Sequence, residues 1–297
     1  MKEPKENHTK NHKGVFLVVL AGICWGMMSI FVRGLTSCGL TSMEIMSLRA
    51  WLSVVLMLVW FLLRKPSLLK VRPHDLWMFV GSGILSLTFF SYCYFRSILI
   101  SGASVAVVLL YTSPAFVMLM SSFVFQEKFT RRKLLALLLT IGGCVLVAGL
   151  IGSGASLSPF ALLLGLGAGF GYALYSIFAG LAVKKYSSLT ITFYTFLFSG
   201  LTMPFLIDFS NLQTILSAEL LHLLPYLIGI TLVGTVIPYL AYTAGLSQME
   251  AGNAAVLVTV EPMVGTLLGI FVWQEATSPS KLAGIAMIFL AVLMLSV

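Results

Sequence analysis

The sequence has few charged residues. Of its 297 residues only 9% are Asp, Glu, Lys or Arg, whereas 59% are hydrophobic. A soluble domain typically carries about 25% charged residues, so this chain cannot cover a water-facing surface. The composition therefore excludes a soluble globular protein and indicates a polytopic membrane protein.

Ten apolar segments follow a short polar tail at residues 1–13. Each is close to the roughly 20 residues that a helix needs to cross a bilayer. We expect an all-α fold of ten transmembrane helices, with five-helix repeats at 14–151 and 157–297. The predicted spans are 14–34, 42–63, 75–99, 102–125, 133–151, 159–182, 189–207, 223–246, 252–273 and 279–297.

The chain also lacks the residues that most intramembrane chemistry requires. There is no HExxH motif and no pair of aspartates, and a serine nucleophile would find no histidine within a span. Metal-assisted or acid-pair hydrolysis is therefore excluded. No phosphate-binding loop is present, and a nucleotide-binding domain would not fit. The four histidines lie outside the predicted spans: His8, His12, His74 and His222.

The four cysteines have no metal-ligand spacing. They stand at positions 24, 38, 93 and 144, three of them within apolar segments. Small buried thiols are the favoured interpretation over a disulfide or a metal site. His8 and His12 have helical i,i+4 spacing, but they belong to a polar tail that we expect to be disordered. The sequence thus predicts neither a bound metal nor a cofactor.

Basic residues are distributed unequally between the two sides of the predicted membrane domain. Because basic residues concentrate in cytoplasmic loops, both termini are expected in the cytoplasm and the net charge of +8 does not indicate nucleic-acid binding. Fourteen of the eighteen Lys and Arg residues then fall on the inner side: Lys2, Lys5, Lys10, Lys13, Arg64, Lys65, Lys70, Arg72, Lys128, Arg131, Arg132, Lys133, Lys184 and Lys185.

The two halves of the chain resemble each other at an offset of 148 residues. Between 103–134 and 251–282, twelve of 32 positions are identical. They include the rare residue types Pro114/Pro262, Gln126-Glu127/Gln274-Glu275 and Lys133/Lys281. At an offset of 147, Trp25 aligns with Tyr172 and Ser29 with Ser176. Five spans is an odd number, so the second copy must have inverted topology, as in carriers that work by alternating access.

The order and spacing of these features resemble the ten-span EamA-type branch of the drug/metabolite transporter superfamily. The matching residues are Trp25-Gly26, Arg49, Pro114 with Gln126-Glu127, Glu261-Pro262 and Gln274-Glu275. The resemblance covers about 14–297. It implies a plasma-membrane carrier, usually an exporter of amino acids or other metabolites, and leaves the substrate open.

Two charged residues lie within predicted spans. Glu261 is near mid-membrane, where a carboxylate is costly, so it should face a cavity or carry a proton. Pro262 and its counterpart Pro114 would kink their helices beside it, in a coupling or gating role, although a packing role for Glu261 is the alternative. Arg49 could pair with Glu44 or bind the carboxylate of a substrate.

Polar and aromatic residues at middle depths could line a central cavity. An amphipathic metabolite could stack on their rings and bond to their polar ends, but ordinary interhelical packing is as good an explanation for any one of them. Our candidates for substrate binding are Trp25, Ser29, Arg49, Tyr94, Tyr111, Ser113, Tyr172, Ser176, Tyr239 and Tyr242; Tyr92 and Tyr175 lie at similar depth.

A secondary carrier is the function that this sequence favours. We expect transport of a small metabolite, with export as the direction, optional proton coupling, and a monomer or homodimer in the lipid bilayer. The alternative is a non-transport membrane protein, such as a channel or an intramembrane enzyme, but no rings of polar residues mark a pore and no histidine lies within a predicted span. Gln126-Glu127 and Gln274-Glu275 end spans four and nine on opposite faces, as helix caps or gate groups.

The charge distribution makes a direct prediction about topology. In a cysteine-free background, single cysteines at Ser67 and Ser156 should react with an impermeant thiol reagent from opposite sides of the membrane. Labelling of both positions from the same side would refute the ten-span arrangement.

Overall fold

A computed structural model describes residues 12–149, 158–276 and 278–296, and these residues form a bundle of long helices. The all-α polytopic fold is confirmed. The helices are α1 His12–Ser37, α2 Ser42–Arg64, α3 Pro73–Ser101, α4 Ala103–Val124, α5 Arg131–Val147, α6 Pro159–Ala182, α7 Ser188–Leu206, α8 Phe209–Leu246, α9 Ala251–Phe271 and α10 Pro279–Ser296.

Within the described ranges, nine of these helices are long and apolar enough to span a bilayer. The remaining one, α5, has 17 residues in its described part. Its predicted span continued to residue 151, and the end of that span lies outside the described residues. The count of ten thus depends on a helix of about 26 Å, slightly short of a hydrocarbon core of about 30 Å.

Helix α8 is longer than the span predicted at 223–246. It begins at Phe209, where Asp208 accepts hydrogen bonds from the side chain and amide of Ser210, and these bonds hold the pKa of that carboxyl below its usual value. Its 38 residues would extend about 57 Å, well beyond the bilayer core. A kink with non-helical dihedrals at Glu219 divides it into two parts.

Corresponding helices of the two halves are interrupted at corresponding places. Helix α3 contains a π-helical segment at Gly81–Thr88, and α8 contains one at Leu232–Val236. Helix α4 is broken between Leu110 and Ser113, and α9 between Leu257 and Val260. These irregularities recur at offsets of 147 to 151 residues, close to the offset of the sequence repeat, so the repeat is also one of backbone geometry.

The prolines in α4 and α9 differ from expectation. We predicted that each would kink a continuous helix, but both stand in the first turn of a new helical segment. At that position the missing N–H of proline has no helical partner to lose. Pro114 and Pro262 therefore favour a restart of the helix after a break.

Glycines allow the helices to approach closely. A Cβ at Gly26 of α1 would lie 2.7 Å from the carbonyl oxygen of Glu261, so α1 and α9 touch through backbone. In the other half, a Cβ at Gly169 of α6 would lie 2.9 Å from the carbonyl oxygen of Leu109 in α4. The same small-residue packing thus sets both broken helices against their neighbours.

Adjacent glycines in α5 provide a matched test of this packing. A Cβ at Gly143 would lie 2.8 Å from the Gly284 carbonyl of α10, whereas one at Gly142 would meet the flexible end of Met287. Gly143→Ala should therefore lower the free energy of unfolding by about 1–3 kcal/mol through overpacking. The loss is to be read as a lower melting temperature in detergent. Gly142→Ala is the control, and equal melting temperatures for the two variants would contradict this account.

Candidate functional site

A cavity of about 520 Å³ lies among α1, α2, α3, α4 and α9. It reaches the end of the bundle where α1 ends and α2 begins, which we call the open end. The opposite end, where α4 ends and α9 begins, is called the closed end. Among the predicted site residues, the cavity is lined by Trp25, Ser29, Arg49, Tyr94, Tyr111, Glu261 and Pro262.

Arg49 is a buried cation on the wall of this cavity. Its side chain is almost fully buried, and one guanidinium nitrogen lies 3.0 Å from the sulfur of Met28. Its Nε has no hydrogen-bond partner among the described residues. A buried guanidinium without a carboxylate partner is costly, so an anionic group of a ligand would be stabilising there.

The ion pair between Arg49 and Glu44 that we considered is not formed. Glu44 instead accepts a hydrogen bond of 2.7 Å from the Thr41 amide and two bonds from the Asn211 side chain. Together with the Thr41 hydroxyl it makes a capping box at the start of α2. This local bonding outcompetes an arginine five residues away, because i,i+5 positions do not share a helix face.

Glu261 lies in the first turn of the helical segment that follows the break in α9. Its carboxylate accepts a hydrogen bond of 3.3 Å from the Tyr172 hydroxyl and borders the same cavity as Arg49. The N-terminal end of a helix favours a negative charge. The break in α9 thus supplies both the position and part of the electrostatic stabilisation of this carboxylate.

An aromatic cluster borders the cavity through Trp25. The ring centroid of Trp25 lies 5.1 Å from that of Tyr239 and 5.6 Å from that of Tyr242. The ring centroids of Tyr175 and Tyr239 are 5.0 Å apart. Tyr242 and Ser176 share a hydrogen bond of 2.7 Å, as do Tyr175 and Thr243. The hydroxyls are therefore engaged within the protein, and this part of the bundle is closely packed.

The predicted site residues accordingly fall into groups. Four of them belong to the aromatic cluster and do not line the cavity: Tyr172, Ser176, Tyr239 and Tyr242. Ser113 and Pro114 are buried at the restart of α4 and belong neither to the cavity wall nor to the aromatic cluster. Tyr92 is 44% exposed on the surface of the bundle, since a tyrosine at middle depth can also face lipid.

At the closed end, Glu127 bonds to the start of α9. Its two carboxylate oxygens accept hydrogen bonds of 2.6 Å from the Ala251 amide and 3.1 Å from the Gly252 amide. Lys133 is buried beside it, with its Nζ 3.6 Å from Glu127 and 2.8 Å from Glu250. We call this set of contacts the α4–α9 latch.

At the open end, the repeat counterpart of Glu127 has different partners. Glu275 accepts a hydrogen bond of 2.6 Å from Arg33, whose guanidinium also lies 4.0 Å above the ring of Trp273. Within the described ranges, no side chain bonds to the first amides of α4, which are the counterparts of Ala251 and Gly252. The latch is thus made at one end of the molecule and unmade at the other.

The residue before each latch carboxylate has an unusual backbone conformation. Gln126 and Gln274 have φ values of 58° and 56°, and they are the non-glycine residues with positive φ among those described. This left-handed conformation costs energy for a residue with a side chain. Its recurrence at both ends indicates that the chain holds the two carboxylates in the same local geometry.

Sequence reasoning found some of these residues and missed others. The shared Gln-Glu pairs and Lys133/Lys281 were visible as rare matches in the repeat. Arg33 and Trp273 were not singled out, because neither is identical to the residue aligned with it: Trp273 aligns with Phe125, and Arg33 aligns with Gly180. Their position at the mouth of a cavity depends on tertiary packing.

Broken helices that meet beside a cavity within a membrane domain are typical of secondary transporters. The chain belongs to the EamA-like transporter family, whose model matches residues 12–149 and again residues 159–297. It is a multi-pass membrane transporter.

Several proteins resemble it over nearly their whole length. An uncharacterized transporter of Archaeoglobus fulgidus is 28% identical, with 94% of this chain and 95% of the relative covered. The uncharacterized transporter YojE of Bacillus subtilis is 26% identical over 97% and 94%. The uncharacterized inner membrane transporter YicL of Salmonella typhimurium is 23% identical over 96% and 95%.

A solved crystal structure has the same fold, with a TM-score of 0.74 at 17% identity and 95% of each chain covered. At this identity the likeness shows the fold alone.

Proposed function

We propose that this protein is an alternating-access carrier and that the structure represents its outward-open state. The observation that carries the proposal is the α4–α9 latch, which is closed at one end while its repeat counterpart is open at the other. In an inverted repeat, exchanging the conformations of the halves exchanges the accessible side. The inward-open state would release Glu127 and bring Glu275 to the first amides of α4.

The direction of opening follows from charge. The loops at the closed end contain Arg64 to Arg72, Lys128 to Lys133, and Lys184 and Lys185, the basic residues expected in the cytoplasm. The open end therefore faces the outside, and both termini lie in the cytoplasm of a plasma-membrane protein. Export is the direction we propose, as the family resemblance implies, so the outward-open state is the one that releases substrate.

We infer that the substrate is a small zwitterion with an apolar body, such as an amino acid. Among the described residues no carboxylate lies within 4.0 Å of the Arg49 guanidinium, and Glu261 offers an acid on the same cavity. The rings of Trp25, Tyr94 and Tyr111 provide apolar surface for stacking. A volume of about 520 Å³ lies within the range of about 300–1,000 Å³ usual for small-molecule sites.

Glu261 is the group we propose for proton coupling. It is the carboxyl group at the break of α9. At this depth its charged form needs a cationic partner, and without one the group should be protonated. A substrate ammonium group would be such a partner in one state. When the substrate leaves in the outward-open state, a proton from outside would bind to Glu261 instead. The substrate and the proton would therefore cross the membrane in opposite directions.

The latch can be tested by the accessibility of the closed end. Ala255, on the first segment of α9, is buried, and a cysteine there should react with a thiol reagent only when that end opens. Glu127→Gln should increase the reaction rate from the cytoplasmic side at least about tenfold. A charge-assisted hydrogen bond contributes about 1.5–3 kcal/mol, and each 1.4 kcal/mol changes a population tenfold.

Glu275→Gln is the matched control, because it removes the counterpart carboxylate and should not open the closed end. All variants carry Ala255→Cys with the four native cysteines replaced. An unchanged rate in Glu127→Gln, or an equal increase in Glu275→Gln, would reject the latch as a gate.

Binding and coupling can be separated in proteoliposomes with a labelled amino-acid panel. Arg49→Ala should reduce both counterflow exchange and proton-gradient-driven transport at least about tenfold, since the ligand carboxylate loses its partner. Glu261→Gln should lose gradient-driven accumulation while retaining measurable exchange, because the neutral side chain mimics the protonated acid. Full gradient-driven transport in Glu261→Gln would assign Glu261 to packing. Normal transport in Arg49→Ala would reject the cavity as the substrate site.

A further inference from the structure

Three residues with metal-binding side chains meet at the open end, outside the cavity. Cys38 stands in the turn between α1 and α2, and Glu219 and His222 stand one turn apart on α8. Their ligand atoms all lie within 4.8 Å of one another. The Sγ of Cys38 lies 3.5 Å from the Nδ1 of His222. More than 180 residues separate Cys38 from the other two, so the fold alone brings this set together.

The spacing of these atoms matches a tetrahedral metal site. Zinc binds cysteine sulfur at about 2.3 Å and histidine nitrogen at about 2.0 Å, which places the two ligand atoms about 3.5 Å apart in a tetrahedron. The observed distance between Cys38 and His222 has this value. The carboxylate of Glu219 is exposed and lies within 4.8 Å of both atoms, so it can supply the third ligand.

The backbone of α8 is irregular at this cluster. Glu219 has φ −129° and ψ 20° inside the helix, which interrupts regular hydrogen bonding three residues before His222. Pro225 lies in the next turn and removes a further backbone donor there. This irregular turn carries both Glu219 and His222, whose ligand atoms lie within 4.8 Å of the Cys38 sulfur.

We propose that Cys38, Glu219 and His222 form a binding site for a divalent zinc ion on the side of the protein where the cavity opens. A thiolate, an imidazole and a carboxylate are the ligands that zinc accepts. The exposure of Glu219 and His222 leaves a fourth position for water and a path for the ion. On binding, the Cys38 thiol loses its proton to solvent and the ion joins the α1–α2 turn to α8.

The site differs from a cysteine and a histidine that merely share a hydrogen bond. The Cys38 thiol also lies 3.4 Å from the Gly34 carbonyl oxygen, so its proton has an acceptor in the last turn of α1. That arrangement needs neither the histidine nor the glutamate. A metal ion, in contrast, requires all three side chains, and this requirement makes the proposal testable residue by residue.

The test is a metal titration of the purified full-length protein. The protein is purified with an affinity tag that contains no histidine, because a histidine tag would itself bind the metal. Zinc chloride binding is measured by calorimetry, and cobalt chloride binding by absorption. We expect one ion per chain and the near-ultraviolet charge-transfer band of a cobalt thiolate. Cys38→Ser should abolish this band. His222→Ala and Glu219→Gln should each weaken zinc binding at least about tenfold, since even outer-shell partners are typically worth 10–100-fold.

Two control variants exclude other sources of binding. Cys93→Ser removes a buried thiol remote from the cluster and should leave the cobalt band intact. His8→Ala with His12→Ala removes the histidines of the tail and should leave the affinity unchanged. Circular dichroism of the metal-free variants verifies their folding. Zinc affinity that survives Cys38→Ser, or that disappears with the tail histidines, would overturn the proposal. Transport is not part of the readout, so the result is independent of the proposed carrier function.

Discussion

The need to satisfy backbone hydrogen bonds within a bilayer governs this structure. Hydrocarbon offers no partner for a free N–H or C=O group, so a helix can be interrupted only where protein or water replaces the lost bonds. The breaks in α4 and α9 obey this rule. The break in α9 borders the cavity, and close packing of glycine against backbone encloses both breaks. The cavity and the broken helices are thus consequences of one constraint.

The inverted repeat places the same local structure at both ends of the molecule. A single local design, consisting of a helix break, a left-handed glutamine and a carboxylate, occurs twice and points to opposite ends. The two copies share this local geometry, so each end of the molecule has a carboxylate with which it can close. A carrier needs closed forms of comparable free energy, since a large preference for one state would stop its cycle.

The general architecture could be predicted because it depends on periodicity and composition. Apolar runs gave the helices, and rare residues such as Pro114/Pro262 revealed the repeat. Individual partners could not be predicted in the same way. Glu44 was within reach of Arg49 by sequence spacing, yet it bonds to Asn211, which is 167 residues away. The length of α8 was also underestimated, because residues 209–222, about four turns, carry too many polar side chains to resemble a membrane span.

Tertiary packing likewise decided which polar residues face the cavity. The predictions for Tyr111 and Tyr94 placed them on a cavity wall, where the structure has them, whereas Ser113 faces a packed interface only two residues beyond Tyr111. Positions two residues apart point to nearly opposite sides of a helix, because one turn takes about 3.6 residues. The choice of both as cavity residues rested on their depth in the membrane and not on the helix face that each occupies.

The two carboxylates at the ends of α4 and α9 differ greatly in their contact with water. The ion pair of Arg33 with Glu275 has exposed fractions of 54% and 41%, whereas Lys133 and Glu127 have 6% and 9%. Dissolved salt weakens an exposed pair and leaves a buried one nearly unaffected. Under the proposed cycle, a saline exterior would free Glu275 for α4 without loosening Glu127. Lys133 also pairs with Glu250, which is 45% exposed, so the conformational balance would respond to salt on both sides and more strongly to salt outside the cell.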